Sequence, residues 1–227
     1  MKRIVQPEIL DTLSPDDPRA LRSRRDLRRV NAWMGNHSVM ARALKNNFNG
    51  RAPKHITELG AGDGNFLLHV ARNINLPDVN ATLLDQKKNV PAGTLAQFSK
   101  LGWRAEAVVA DVFDWPESLG GGEIVIANLF LHHFEDAHLA ELLQNISRRA
   151  KLFIAVEPHR FHFASPSAQL LRLIGCSAVT LHDAVTSIRA GFLFQEISAL
   201  WPDKKNWQLT ERRAGLFSHL FVAQRKD

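Results

Sequence analysis

From residue 54 onward, the chain alternates short apolar segments with amphipathic segments of helical length. Alternation of this kind is typical of a mainly parallel sheet with helices packed on both of its faces. The predicted strands are residues 55–59, 80–85, 105–110, 123–128, 152–156, 207–212 and 218–224, and the helices predicted among the first five strands are residues 65–74, 91–101 and 137–149. A link through Gly215 predicts that the last two strands form an antiparallel hairpin. The pattern therefore predicts one α/β domain over residues 53–227.

The segment between the fifth strand and the hairpin predicts further helices. Ser165 followed by Pro166 is a typical helix start, and this helix is expected to reach about residue 174. Thr180 has capping-box spacing to an acidic residue three positions later, and Gly191 ends the helix that begins there. Residues 194–201 fit either a helix or a strand.

Residues 1–52 lack this alternation and predict a helical N-terminal cap. Leu27, Val30 and Met34 follow one another at helical spacing, and a second helix is predicted over about residues 38–48.

The whole charge imbalance of the chain lies in this cap. Residues 1–52 carry eleven Lys and Arg against five Asp and Glu, whereas residues 53–227 carry eighteen of each. A neutral main domain argues against a broad nucleic-acid surface there. The segment Arg19–Arg29 holds six arginines and one aspartate. It is either a solvated helix face or a surface that attracts an anionic substrate, a carrier-bound substrate or RNA.

Composition and the N-terminus favour a cytoplasmic protein. There is no run of about 18 apolar residues, so no membrane span is expected, and residues 1–8 do not resemble a secretory signal. Cys176 is the only cysteine, which excludes an internal disulfide and a cysteine-based metal site.

A glycine-rich turn lies between the first strand and the first helix of the α/β domain. Glycines at such a turn allow tight bending and close approach of a ligand to the backbone. The dinucleotide fingerprint G-x-G-x-x-G fits Gly60 and Gly62 but would require a third glycine where Asn65 stands. The observed pattern over residues 58–64 is instead Glu-x-Gly-x-Gly-x-Gly.

This pattern resembles motif I of the class I S-adenosylmethionine-dependent methyltransferases. In that family an acid after strand two binds the ribose hydroxyls and an acid after strand three binds the adenine amino group. Asp85 and Asp111 occupy these two places here, and a carboxylate accepts hydrogen bonds as both roles require. A nicotinamide dinucleotide would explain Asp85 but not Asp111. The resemblance implies S-adenosylmethionine as cofactor, bound by Glu58, Gly60, Ala61, Gly62, Gly64, Asp85, Gln86, Asp111, Val112 and Asn128.

Two further segments carry the resemblance through residues 53–227. Leu131-His132-His133 looks like the segment after strand four in small-molecule members of the family, and the terminal hairpin matches the family's antiparallel strand seven. The Arg-rich cap resembles that of bacterial enzymes that methylate polyketide-like products. The implied fold is a three-layer Rossmann-like sandwich with a seven-stranded, mostly parallel sheet in the order 3-2-1-4-5-7-6.

Histidines are the candidate bases for the reaction, because a hydroxyl acceptor must lose a proton and the histidine pKa lies near neutrality. The family's sheet order would bring His132, His133, Glu157 and His159 toward one crevice. We expect His133 or His159 to be the base, and His132 less so. The four residues lack a metal-ligand spacing, so no metal is predicted.

The acceptor is expected to be a small apolar or aromatic molecule, methylated on oxygen, with carbon and nitrogen left open. The candidate lining of its pocket is Trp33, Phe130, Phe134, Phe161 and Phe163. Strand four is followed by Leu-Phe-Leu and not by the Pro-Pro-Tyr of amino-methylating nucleic-acid enzymes. An RNA or protein methyltransferase that uses the basic cap is the alternative, and a non-catalytic protein with this fold is a third hypothesis. The oligomeric state is open.

Overall fold

The computed structural model describes residues 2–14, 16–48, 52–115, 123–161, 171–173 and 175–226. Seven strands form one sheet: β1 (His55–Leu59), β2 (Asn80–Asp85), β3 (Arg104–Val109), β4 (Ile124–Asn128), β5 (Leu152–Pro158), β6 (Trp207–Ala214) and β7 (Ser218–Arg225). Their order across the sheet is β3-β2-β1-β4-β5-β7-β6. The first five strands pair in parallel, and β7 pairs antiparallel with both β5 and β6. The predicted fold, sheet order and terminal hairpin are confirmed.

Helices cover both faces of this sheet. They are α1 (Ile9–Thr12), α2 (Pro18–Met34), α3 (Asn36–Asn46), α4 (Asn65–Ile74), α5 (Ala92–Lys100), α6 (Asp136–Arg149), α7 (Ala178–Ala190) and α8 (Glu196–Leu200). Short 3-10 turns lie at Leu131–His133 and Lys204–Asn206. No helix in the described ranges is long and apolar enough to cross a membrane.

Burial explains the strand pattern. The central strand β5 is buried at all seven positions, as expected for a parallel strand covered on both faces, whereas the edge strand β3 has no buried position. One core lies between the sheet and helices α3 and α4, and a second lies between the sheet and helices α6 and α8. Helix α3 belongs to the first core through Met40 and Leu44, which are both fully buried. The division between a cap and a main domain at residue 52 stays a prediction.

Several predicted elements differ in detail from the structure. The cap of α7 was predicted at Thr180, but the capping residue is Ser177, whose Oγ accepts a hydrogen bond from the backbone N–H of Thr180. Residues 194–201 contain the short helix α8. The short helix α1 was not predicted. The helix predicted from Ser165 to about residue 174 lies largely outside the described residues.

The sheet topology positions the site. Leu59 at the end of β1 pairs with Ala127 near the end of β4. These adjacent strands lead away in opposite directions along the sheet order, and such a point is where open α/β sheets bind ligands. The glycine turn after β1 and residues 129–133 after β4 are therefore neighbours.

Candidate active site

The glycine turn is held in a conformation that favours glycine. Gly60, Gly62 and Gly64 have φ values of +65°, +55° and +73°. A Cβ on Gly60 would lie 2.2 Å from Cδ2 of Phe130, whereas a Cβ on Gly62 would meet no atom within 4 Å. Gly60 thus permits the approach of the segment after β4, and Gly62 leaves open space beside the turn.

One predicted acid contacts this turn, and the other contacts the residue that follows the first acid. Asp85 accepts a hydrogen bond from the backbone N–H of Gly62 at 2.8 Å and another from that of Lys87 at 2.8 Å. Asp111 accepts from the Gln86 side chain at 3.1 Å and from a backbone N–H at 2.9 Å. A carboxylate has about four lone-pair sites, so Asp85 and Asp111 keep acceptor capacity for a ligand.

A cavity of about 580 Å³ opens over the turn. Most of the predicted cofactor residues line it, namely Glu58, Gly60, Ala61, Gly62, Asp85, Gln86, Val112 and Asn128. The structure does not place Gly64 or Asp111 among the lining residues. Gly64 lies behind the turn, where a Cβ would come within 2.9 Å of Leu83.

Glu58 is an unusual carboxylate in this wall. Its side chain is 2% exposed, and its Oε2 has no hydrogen-bond partner. Burial, together with the nearby carboxylates of Asp63 and Asp85, raises the pKa of Glu58 well above its usual value. Arg28 pairs with Asp63 and His132 with Glu8, whereas the buried oxygen of Glu58 has no partner, so this part of the wall suits a ligand with ammonium donors better than a pyrophosphate. S-adenosylmethionine, with its sulfonium and α-ammonium groups, fits these residues.

The state of Glu58 predicts a proton change on cofactor binding. A cation beside a buried carboxyl favours its ionised form, so binding of S-adenosylmethionine should release a proton from the wild-type protein at a pH where Glu58 is protonated. Calorimetry in two buffers of different ionisation enthalpy measures this release, and the variant Glu58→Gln should release none. Equal release by the wild type and by Glu58→Gln would contradict the assignment.

The segment after β4 is organised by Glu157, which is fully buried at the end of β5. Its Oε1 accepts hydrogen bonds from the backbone N–H groups of Phe130 and Leu131, both at 3.0 Å. Its Oε2 lies 2.9 Å from Nδ1 of His132. Burial alone would lower the pKa of His132, but the hydrogen bonds and charges of Glu157 and Glu8 outweigh it and raise the pKa to about 9. His132 is therefore a cation at neutral pH.

The N-terminal segment supplies two acids that were not predicted for the site. Oε1 of Glu8 lies 3.4 Å from Nε2 of His132 and accepts a short hydrogen bond from Ser187. Asp11 Oδ2 lies 3.4 Å from Nδ1 of His133. No local pattern in residues 1–14 indicates this, because both contacts join positions more than a hundred residues apart.

The same side chains form a cluster with metal-ligand atoms. Ligand atoms of Glu8, His132 and His133 all lie within 4.8 Å of one another. Each member of this cluster also has a partner within the protein, since Glu8 contacts His132 and Asp11 contacts His133, both at 3.4 Å. Contacts among the protein's own side chains therefore account for the cluster.

The two predicted bases lie in different places. His133 lines the cavity, and its side chain is 28% exposed. His159 is not among the lining residues; its ring stacks on His219 at 5.8 Å, and its backbone N–H donates to Phe217. Burial and neighbouring cationic groups lower the pKa of His159 to about 4. The structure brings His132, His133 and Glu157 together but leaves His159 beside the hairpin.

The predicted aromatic pocket is divided. Phe130 and Phe134 line the cavity with their ring centroids 5.1 Å apart. The rings of Trp33 and Phe161 instead pack near Phe217, with ring centroids 5.1 Å and 6.1 Å from that of Phe217. Neither residue lines the cavity. The expectation that these four rings share one pocket is corrected, and Phe163 lies outside the described residues.

Comparisons with known proteins agree with this geometry. A family model described as a methyltransferase domain matches residues 56–151. No curated protein matches the chain in sequence.

Three solved structures illustrate the similarity in fold. The plantazolicin methyltransferase BpumL, solved in complex with S-adenosylhomocysteine, is 12% identical, with coverage of 93% of this chain and 92% of that chain and a TM-score of 0.64. The mitomycin 7-O-methyltransferase MmcR is 18% identical over 96% of this chain and 60% of its own, with a TM-score of 0.64. An O-methyltransferase family protein from Burkholderia thailandensis is 19% identical over 92% and 60%, with a TM-score of 0.59. The present chain thus spans about 60% of the length of these two O-methyltransferases.

The cofactor follows from the same observations. The motif over residues 58–64 lies at the turn, Asp85 lies beside it, and the wall carries the unpaired oxygen of Glu58. Together with the match of residues 56–151 to a methyltransferase domain, these features indicate an enzyme that uses S-adenosylmethionine.

Proposed function

We propose that this enzyme methylates an oxygen atom of a small apolar or aromatic acceptor. The observation that carries this proposal is the continuity of one cavity from the glycine turn to the histidines and phenylalanines after β4. A cofactor at Gly60–Gly62 and an acceptor at Phe130 and Phe134 would share the same space. When bound, S-adenosylmethionine supplies a methyl group that is already activated on a sulfonium sulfur. Alignment and exclusion of water are then the main tasks of the protein.

His133 is the proposed general base. With Nδ1 directed to Asp11, its Nε2 is the nitrogen that accepts the proton of an acceptor hydroxyl. His132 is unsuitable in this arrangement because its pKa of about 9 keeps it protonated at neutral pH. The His132 cation instead lies beside His133, with ring centroids 4.3 Å apart.

The acceptor class rests on the cavity wall. The edge-to-face pair of Phe130 and Phe134 offers an aromatic surface to the cavity, and the Phe113 ring packs on Phe134 with its centroid 5.6 Å away. Rings packed in this way favour a flat apolar molecule. The similar structures include a plantazolicin methyltransferase and a mitomycin 7-O-methyltransferase, which also supports an acceptor of this class.

Methylation of RNA or protein is the second candidate, supported by the exposed arginines of α2. Arg19, Arg22 and Arg25 are exposed. RNA binding that weakens steeply with salt would favour this candidate, because phosphate contacts release counterions.

The proposed base predicts a selective loss of turnover. With S-adenosylmethionine and a panel of phenols, His133→Gln should lower kcat by roughly a hundredfold to ten-thousandfold, as removal of a general base does. Product formation is measured by mass spectrometry and S-adenosylhomocysteine affinity by calorimetry, which should stay unchanged. His159→Gln is the matched control and should retain wild-type kcat. Unchanged kcat in His133→Gln would rule out His133 as the base.

A further inference from the structure

One face of α2 forms part of the cavity wall. Arg24, Leu27, Arg28 and Asn31 line the cavity. Their spacing of i, i+3, i+4 and i+7 places them on a single side of the helix. A segment that the sequence marks as a basic cap thus reaches the space above the glycine turn.

The opposite face of α2 fixes this orientation. Asp26 is 3% exposed, and its Oδ2 accepts hydrogen bonds from the backbone N–H of Ser177 at 2.7 Å and from Oγ1 of Thr180 at 3.1 Å. Thr180 Oγ1 also contacts Ser23 Oγ at 3.1 Å. Since α2 is held to the start of α7 by these buried contacts, its cavity face cannot rotate freely.

Two buried side-chain oxygens in the cavity wall have no partner. They are Oδ1 of Asn31 and Oε2 of Glu58. Among the described residues, these are the buried side-chain polar atoms without a partner that belong to cavity-lining residues. Leaving a buried polar atom unpaired is unfavourable, so both oxygens indicate a ligand that forms hydrogen bonds, and Oδ1 of Asn31 requires a ligand that donates.

A cation lies on the same face of α2 as Asn31. Nη1 of Arg28 is 2.8 Å from Oδ2 of Asp63, which stands between Gly62 and Gly64 in the turn. A guanidinium has five N–H donors, so this ion pair leaves donors for a second carboxylate. Arg28 precedes Asn31 by three residues, which places the two side chains next to each other along the helix.

We propose that α2 binds the amino-acid end of S-adenosylmethionine, with Asn31 Oδ1 accepting a hydrogen bond from the α-ammonium group and Arg28 pairing with the carboxylate. The N-terminal segment is then part of the cofactor site and not only a cover for the acceptor. The inference concerns the cofactor alone and holds whatever acceptor is methylated.

Binding of three ligands, measured without turnover, tests the Asn31 contact to the ammonium group and the Arg28 contact to the carboxylate one at a time. S-adenosylmethionine has both groups, decarboxylated S-adenosylmethionine keeps the amine and lacks the carboxylate, and 5′-methylthioadenosine lacks both. Arg28→Gln should weaken binding of S-adenosylmethionine by roughly tenfold to a hundredfold and leave the other two ligands unchanged. Asn31→Ala should weaken both amine-bearing ligands by a similar factor and leave 5′-methylthioadenosine unchanged. Affinities are measured by calorimetry.

Matched variants decide between a specific and a general effect. Arg25→Gln removes an arginine from the exposed side of the same helix and should bind all three ligands as the wild type does. Asn31→Asp keeps an acceptor at the same place and should restore binding of the amine-bearing ligands. Equal weakening of all three ligands by Arg28→Gln and Asn31→Ala, or no weakening at all, would overturn the proposal. Melting temperatures of the free variants show whether each is folded.

Discussion

Replacing Glu157 with alanine is expected to lower the free energy of unfolding by about 3–5 kcal/mol, the usual effect of removing one partner of a buried ion pair. For a chain of this size, such a loss lowers the melting temperature by roughly 10 °C. The reason is that Glu157 holds three backbone N–H groups and the ring of His132 at once, in a place with no exposure to water. Without it, the His132 cation keeps Glu8 as its remaining carboxylate partner.

Denaturant unfolding and thermal melting measure this effect, with Glu123→Ala as the control. Glu123 forms an exposed ion pair with Lys151 at 3.7 Å, and such pairs contribute about 0–1 kcal/mol. A melting temperature of Glu157→Ala within a degree or two of the Glu123→Ala value would contradict the role given to Glu157.

The same network predicts a dependence of stability on pH. The pKa of His132 is about 9 in the folded protein against 6.5 for an unperturbed histidine. The folded protein therefore binds the His132 proton more tightly than the unfolded chain does. The stability that it contributes is complete below pH 6.5 and is lost as the pH rises through 9. Glu157→Gln removes the charge next to His132 and should flatten the decline of melting temperature over this range. Titration of the His132 ring by NMR should show its pKa lowered in that variant.

Replacing Gly60 with alanine is expected to destabilise the fold and to disturb the cofactor site together. A left-handed backbone costs a residue with a Cβ about 1–2 kcal/mol, and forcing atoms into a packed place adds about 1–3 kcal/mol. Both apply at Gly60, where φ is +65° and the new methyl group would lie 2.2 Å from the Phe130 ring. The ring must then move, and with it the wall shared by the cofactor and the acceptor.

Gly62→Ala separates the two causes. Its φ of +55° carries the same backbone penalty, but no atom lies within 4 Å of the added methyl group. Gly62→Ala should therefore lose less stability than Gly60→Ala, by about 1–3 kcal/mol in unfolding experiments. Its methyl group points into the space beside the turn, so its affinity for S-adenosylhomocysteine should still fall. Equal free energies of unfolding for the two variants would show that the contact with Phe130 adds no destabilisation to Gly60→Ala.

The sequence by itself determined the sheet, the glycine turn and the acids that follow strands two and three. These features are local: a buried parallel strand is a continuous apolar run, and Glu58 to Gly64 lie within a single turn between a strand and a helix. Because strands two and three are parallel neighbours in this order, Asp85 and Asp111 must lie at the same edge of the sheet.

The start of α7 could not be predicted to the residue, because two hydroxyl side chains near it are both suitable as the helix cap. Ser177 and Thr180 both carry a hydroxyl group three positions apart, and either is a suitable cap. The structure uses Ser177, because the hydroxyl of Thr180 is occupied by Ser23 and Asp26 of α2. That choice depends on the packing of two helices that are distant in sequence.

Tertiary structure alone decided the composition of the acceptor side of the site. Glu8 and Asp11 reach His132 and His133 because the N-terminal segment crosses α7, where two backbone N–H groups after Glu8 donate to Asp183. His159 leaves the cavity because β5 continues to Pro158 and the next residues run beside the hairpin. Contacts between remote segments depend on how helices and strands pack and not on spacing along the chain, which is why residue types alone indicated the chemistry but not the partners.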